Sequence, residues 1–132
     1  MKKIYKLLML ISITMLMSFT SSNKDCGILK GNVFTYKNSK KNVVVVFSEN
    51  KYIEYHNDQE HFIKSDIEWV NDCEYYLTIK ESTLPNFPFK MGTKMHIKVN
   101  RVRGKKVYYK ATLGGKSWEG RLTKTKREKF NL

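Results

Sequence analysis

The side chains of this chain that could act as acids, bases or metal ligands are few and scattered. The three histidines are His56, His61 and His96. His56 and His61 flank a predicted two-residue turn at Asn57-Asp58, where a surface cross-strand position is favoured over a metal site. His96 alternates with lysines on the outward side of a predicted strand. The histidine positions therefore predict no metal centre.

No motif typical of an enzyme accompanies these residues. The sequence lacks a Gly-x-Ser-x-Gly elbow, a glycine-rich phosphate loop and a His-Glu-x-x-His pair. Asp66 and Glu68 share a strand face, as paired catalytic carboxylates would, but next to a turn they are expected to be solvent groups. Spacing alone assigns no Ser-His-Asp triad, since triads assemble across distant segments. We predict a non-enzymatic protein without a cofactor; a hydrolase of an unfamiliar type is the least favoured alternative.

Aromatic residues suggest a different chemistry, the binding of an apolar molecule. Four of them stand at alternating strand positions whose side chains are predicted to point into the fold: Trp69, Tyr75, Tyr109 and Trp118. An eight-stranded barrel either fills with its own side chains or holds one small ligand. These four residues therefore line a ligand cavity or build a solid core.

Cationic residues dominate the last third of the chain. Residues 98–132 contain twelve Lys and Arg against two acidic residues, whereas residues 23–97 contain ten Lys against ten acidic residues. Such a patch attracts anionic lipid or acidic polysaccharide, and a merely solubilising surface is the favoured alternative. The predicted anion-binding residues form a basic tail beyond the last strand: Lys124, Lys126, Arg127 and Lys129.

The N-terminal segment has the pattern of a secretory signal peptide. Lys2, Lys3 and Lys6 precede an apolar run at 7–17, and small polar residues follow it up to Ser22. The run is shorter than the roughly 20 residues of a membrane-spanning helix. We predict removal of residues 1–22 and export to the periplasm or the extracellular medium, without an integral membrane span.

Cys26 and Cys73 are the two cysteines of the chain. In an oxidising compartment an even pair favours a disulfide, which would join the start of the mature chain to its middle. Lipidation of Cys26 is the alternative, and the preceding Asn23-Lys24-Asp25 is unlike a lipid-attachment signal. No histidine or further cysteine stands at zinc-ligand spacing.

The elements that must position these residues are short β-rich runs separated by turn residues. Eight strands are predicted, at residues 33–36, 42–48, 51–56, 60–70, 73–80, 94–102, 106–113 and 116–123. One long connection, with Pro85, Phe87, Pro88 and Phe89, separates the fifth strand from the sixth. This pattern predicts a single all-β domain over 23–132, an eight-stranded antiparallel meander closed into a small barrel.

The best-defined predicted hairpin turns at Gly114-Gly115. It places three pairs on one face: Ala111 with Trp118, Tyr109 with Gly120, and Val107 with Leu122. The other face pairs Lys110 with Glu119 and Tyr108 with Arg121. If the apolar residues of the paired strands are to share one face, the hairpins near Gly104 and Asp72 require loops with an odd number of residues.

Three blocks of the mature chain resemble a family of small secreted proteins of Bacteroidetes-type bacteria. The blocks are residues 64–75, residues 26–31 with 34–36, and residues 85–88 with Gly92. The family is lipocalin-like in strand pattern and has no established activity. Some members carry the name DNA topoisomerase IV, which a short chain without a nucleotide-binding or DNA-cleavage motif contradicts. The resemblance implies a lipocalin-like barrel and export, and it supplies no catalytic residues.

The sequence thus predicts an exported, monomeric binding module. Its ligand would be a small apolar or amphipathic molecule, and its cationic face would contact anionic envelope components. The rival function is a structural or adhesive envelope protein with a solid core and no small-molecule ligand. Nucleic acid is a poor partner for an exported protein.

Overall fold

The structure, a computed structural model, describes residues 25–132; the predicted signal peptide at 1–22 lies outside the described residues. Eight strands are present, as predicted. They are β1 (Val33–Asn38), β2 (Lys41–Phe47), β3 (Lys51–His56), β4 (His61–Asn71), β5 (Glu74–Ser82), β6 (Lys94–Arg103), β7 (Lys106–Leu113) and β8 (Lys116–Thr125). Short 3-10 helices at Cys26–Ile28 and Arg127–Phe130 flank the strands.

The strands form a closed antiparallel barrel in chain order. Each strand pairs with the next, and β1 pairs with β8. The predicted all-β, eight-stranded meander barrel is therefore confirmed. The β1–β8 seam is the short pairing of the barrel, joining residues 33–35 to residues 123–125. Beyond Thr35 the two strands no longer pair, and a cleft lies between them.

The β7–β8 hairpin has the predicted register. Tyr109 is opposite Gly120, Ala111 is opposite Trp118, and the remaining predicted pairs agree. Gly114 has a φ of 59°. Positive φ at the first of the two central residues is the geometry that makes glycine the favoured residue there in a tight hairpin turn.

Two β-bulges replace the predicted odd-length loops. β6 and β7 are joined at Gly104-Lys105, and their register shifts between Val99 and Arg101. β4 and β5 are joined at Asp72-Cys73, and their register shifts between Trp69 and Asn71. An extra residue in one strand restores the inward parity that an odd loop would have provided. The predicted parity was right, and the predicted loop lengths were wrong.

The turn between β3 and β4 also differs from the prediction. His56 pairs directly with His61, so the connection spans residues 57–60 instead of a two-residue turn. Asn57, Asp58 and Gln59 all have positive φ. The predicted surface position of His56 was therefore wrong, because the residue is buried.

The N-terminal segment, residues 25–32, packs at one end of the barrel, called here the closed end. Leu29 is fully buried in the main core cluster, together with Phe34 and Phe47. The predicted disulfide is present: Cys26 is bonded to Cys73 in the β4–β5 turn, with a Cα–Cα distance of 5.1 Å. The crosslink therefore joins this segment to the barrel at the end that it covers.

The C-terminal tail is not free, contrary to the prediction. Lys124 lies within β8 opposite Phe34. After β8, Phe130 and Leu132 pack on the outer face of the barrel against Val33, Val44 and Val46. These outward valines need an apolar cover, and the tail provides it. The tail that carries Lys126, Arg127 and Lys129 is consequently anchored to the barrel.

Gly120→Ala is expected to lower the free energy of unfolding by about 1–3 kcal/mol, the range for overpacking. A Cβ at this position would overlap the ring of Tyr109, which covers the glycine. Gly115→Ala is the matched control, because nothing lies within 4 Å of a Cβ there. Urea unfolding of both variants measures the difference. Equal stability of the two variants would show that the Tyr109 ring moves aside at no cost.

Candidate ligand-binding cavity

The barrel interior contains a cavity of about 360 Å³. Inward side chains of β1 and of β3 to β8 form its walls. The loop between β5 and β6 also lines it. This loop lies at the end of the barrel opposite the disulfide, which is called here the open end. Most lining groups are apolar or aromatic. Ligand pockets in proteins usually measure roughly 300–1,000 Å³ and have such linings. The volume equals about a dozen water molecules at ~30 Å³ each.

Three of the four predicted ligand-binding residues line this cavity. Tyr75 is buried in its wall, Tyr109 is half-buried, and Trp118 lies at the rim with 42% of its surface exposed. Trp69 is not among the lining residues. Its ring packs 4.9 Å from the Tyr75 ring, and its Nε1 donates to the Glu49 carbonyl near the closed end. Trp69 therefore packs against the core beside Tyr75, and the structure does not bring it to the cavity.

The loop at 83–93 covers part of the open end. Phe87 and Phe89 are half-buried, stack edge-to-face at 5.6 Å and line the cavity. Hydrogen bonds anchor both sides of the loop: the Thr83 amide donates to the Phe62 carbonyl and the Gly92 amide to the Ile79 carbonyl. The apolar edge noted in the sequence is thus part of the cavity.

The seam provides a second approach to the interior. The cleft there measures about 730 Å³ and shares Tyr36, Tyr109 and Trp118 with the cavity. Lys37 and Arg121 also line it, as does Glu119. The cavity is therefore bordered by a charged cleft on its lateral side.

A polar cluster centred on Glu54 stands inside the cavity. The Glu54 carboxylate accepts hydrogen bonds from Tyr36 Oη at 2.9 Å on Oε2 and from Tyr52 Oη at 2.7 Å on Oε1. His56 Nε2 lies 3.0 Å from Oε2 and donates to it, since an ionised carboxylate only accepts. Only 17% of the Glu54 side chain and 10% of the His56 side chain are exposed. The carboxylate thus has three donors and little water.

Burial maintains the tyrosines around Glu54 as neutral donors. Desolvation, followed by the negative charge of Glu54, raises the pKa of Tyr36 and of Tyr52 well above 10.0. Desolvation, with the same charge as a smaller contribution, raises the pKa of Tyr109 to about 12. The phenol groups that donate to Glu54 are protonated at neutral pH even at the ordinary pKa of 10.0, and the raised pKa keeps them protonated to higher pH.

The cluster does not form a hydrolytic triad with the buried serine of the cavity. Ser65 is opposite Tyr52. His56 lies four residues further along β3, roughly 13 Å away at ~3.3 Å per residue. A carboxylate-oriented imidazole is present, but this hydroxyl is out of its reach. Within residues 25–132 no group of three His, Cys, Asp or Glu side chains could hold a metal ion.

Sequence reasoning missed Glu54 and its partners. The segment Lys51–His56 alternates Tyr52, Glu54 and His56 with Ile53 and Tyr55. Both sets contain an aromatic residue, so alternation alone does not decide which set faces inward. The signal that could have found the cluster is the regular spacing of three hydrogen-bonding side chains at every second position.

Three of the four predicted anion-binding residues, Lys124, Lys126 and Lys129, line a surface concavity of about 710 Å³ at the closed end together with Lys105. Ile28 and Glu128 complete much of its wall. The Lys124 amide donates to the Lys105 carbonyl at 2.7 Å, which fixes the two basic segments side by side. Arg127 is exposed in the adjoining 3-10 helix.

No protein-family model, no curated protein and no solved structure matches this chain. The described part of the chain has no helix of the length and apolar character needed to cross a membrane.

Proposed function

We propose that the protein is an exported, non-enzymatic binding module that holds one small, largely apolar molecule inside its barrel. The observation that carries this proposal is the cavity of about 360 Å³, lined mainly by apolar and aromatic side chains with one polar cluster. This supports the binding function over the rival structural protein with a solid core. The disulfide is compatible with export, and membership of the secreted lipocalin-like family stays a prediction.

The cationic closed end supports a second part of the proposal, contact with anionic lipid or polysaccharide of the envelope. Four lysines line one concavity there: Lys105, Lys124 at the end of β8, and Lys126 and Lys129 in the packed tail. The cavity opens at the other end of the barrel, where Trp118 and Phe87 lie. The two surfaces are thus separate, so a protein attached through the closed end would keep its ligand cavity accessible.

Filling the cavity should abolish ligand binding. Ala111 is buried in the cavity wall beside Ile97 and Trp118, so Ala111→Phe adds a ring to the space that a ligand needs. We expect phenylbutanol to change the tryptophan fluorescence of the wild type and to produce heat in calorimetry. Ala111→Phe should lose both responses.

The matched control is Thr112→Phe, which adds the same ring one residue further along β7. Side chains of successive strand residues point to opposite faces, so this ring is expected outside the barrel. The variant should bind phenylbutanol like the wild type. Thermal unfolding of both variants checks that each is folded. Equal binding by Ala111→Phe and Thr112→Phe, or no binding by the wild type, would contradict the proposal.

A further inference from the structure

The Glu54 carboxylate has capacity for one more hydrogen bond. An ionised carboxylate offers about four acceptor positions, and Tyr36, Tyr52 and His56 occupy three. Oε2 accepts two of these bonds and Oε1 accepts one. The open position is therefore on Oε1, on a side chain that lines the cavity.

The charged groups of the cavity lining are few. No lysine or arginine is among the described residues that line it, so Glu54 and His56 determine its charge. His56 Nε2 lies 3.0 Å from Glu54 Oε2 and occupies an acceptor position there. The acceptor that the cluster offers to a ligand is therefore the open position on Oε1.

We infer that the ligand carries a protonated amine at its polar end and that Glu54 is the residue that binds it. The inference rests on the proposed binding function and names its ligand class. An ammonium group supplies three N–H donors and a positive charge, which matches the open acceptor and the negative charge of this cluster. A charge-assisted hydrogen bond gains strength where water is excluded, as it is around Glu54.

An anionic ligand is the opposite case. Its carboxylate would approach Glu54 without a cationic side chain in the lining to compensate the repulsion. Lys37 and Arg121 lie in the seam cleft beside Glu119, outside that lining. The structure thus favours an amine over the anionic head group that the basic composition of the chain suggests.

The size of the ligand follows from the cavity. Space for about a dozen water molecules accommodates about a dozen non-hydrogen atoms. The aromatic lining includes Tyr75, Phe87, Phe89 and Trp118, so a compact tail with one ring fits it. Phenylbutylamine has this size and chemistry, and it serves as the probe.

Three probes with one tail test the inference on the mature protein. Calorimetry should give the order phenylbutylamine, then phenylbutanol, then phenylbutanoate, with the amine at least about tenfold tighter than the carboxylate. Three equal affinities, or tighter binding of the carboxylate, would overturn the amine inference and leave the binding function intact. Binding of none of the three would overturn both.

Glu54→Gln tests the residue that the inference names. It retains the shape of the side chain and removes its charge, so the affinity for phenylbutylamine should fall about tenfold while that for phenylbutanol changes little. Glu119→Gln removes an equal charge from the seam cleft and should leave both affinities unchanged. Equal losses in the two variants would assign the effect to the general field and refute the role of Glu54. Should Glu54→Gln not fold, the order of the three probes on the wild type decides.

Discussion

Replacing Cys26 and Cys73 together by serine should lower the free energy of unfolding by about 4 kcal/mol, the chain-entropy value for a loop of this length. The disulfide joins residues 47 positions apart. It also holds residues 25–32 against the closed end, where Leu29 is fully buried. A domain of this size is stable by only about 5–15 kcal/mol, so the loss is a large share. Urea unfolding measures it.

Reduction provides the internal control for this prediction. Dithiothreitol should bring the wild type to the stability of the double serine variant and should leave that variant unchanged. Thiol titration of the unfolded, unreduced mature protein should find no free thiol. Unchanged stability of the double variant would show that packing of Leu29 alone holds the N-terminal segment.

The strand pattern was predictable because the pairing of this barrel is local. Each strand pairs with the next, through a short turn in every case except β5–β6, and the period of two fixes which side chains share a face. The register of the β7–β8 hairpin followed from Gly114-Gly115 alone. The bulges between Val99 and Arg101 and between Trp69 and Asn71 were not predictable, because an extra strand residue and an odd loop have the same effect on parity.

The covering of the outer face needed information from distant parts of the chain. Residues 43–47 are a continuous apolar run, which is typical of a strand buried on both faces. The sequence does not say what covers the second face. The structure shows Phe130 and Leu132 there, more than eighty residues downstream of Val44 and Val46. A contact of that sequence separation leaves no local pattern.

The candidate site depended on the same distant contact. Tyr55 packs outward against the cluster that Phe130 covers, so its neighbours Glu54 and His56 face the interior. If the C-terminal tail is taken as free, nothing covers the outer face beside Tyr55, and the Glu54 carboxylate is then assigned to solvent. Tyr109 and Trp118 were found because the β7–β8 hairpin fixes which face they share, and Tyr75 was found because it shares a face with Trp69 across the β4–β5 turn. Trp69 shares that parity but lies too close to the closed end to reach the cavity.

Neutralising the four predicted anion-binding residues should weaken the binding free energy for anionic vesicles by about 4 kcal/mol, because each basic residue near such a surface contributes ~1 kcal/mol. This corresponds to a loss of affinity close to a thousandfold. The variant carries glutamine at Lys124, Lys126, Arg127 and Lys129. Three of these side chains line the concavity of the closed end with Lys105. Co-sedimentation with vesicles containing phosphatidylglycerol measures the effect, with phosphatidylcholine vesicles as the reference.

The matched control removes the same number of charges from exposed lysines elsewhere: Lys40, Lys41, Lys90 and Lys116. Lys40 and Lys116 lie in or beside the turns of the open end, so neutralising this set should weaken attachment much less if the closed end faces the membrane. Attachment by the wild type should also fall steeply with salt, because exposed charges are screened over about 10 Å at 0.1 M. Equal weakening by both sets would mean that net charge acts without a defined face. Attachment that neither set changes would leave the cationic third of the chain with a solubilising role.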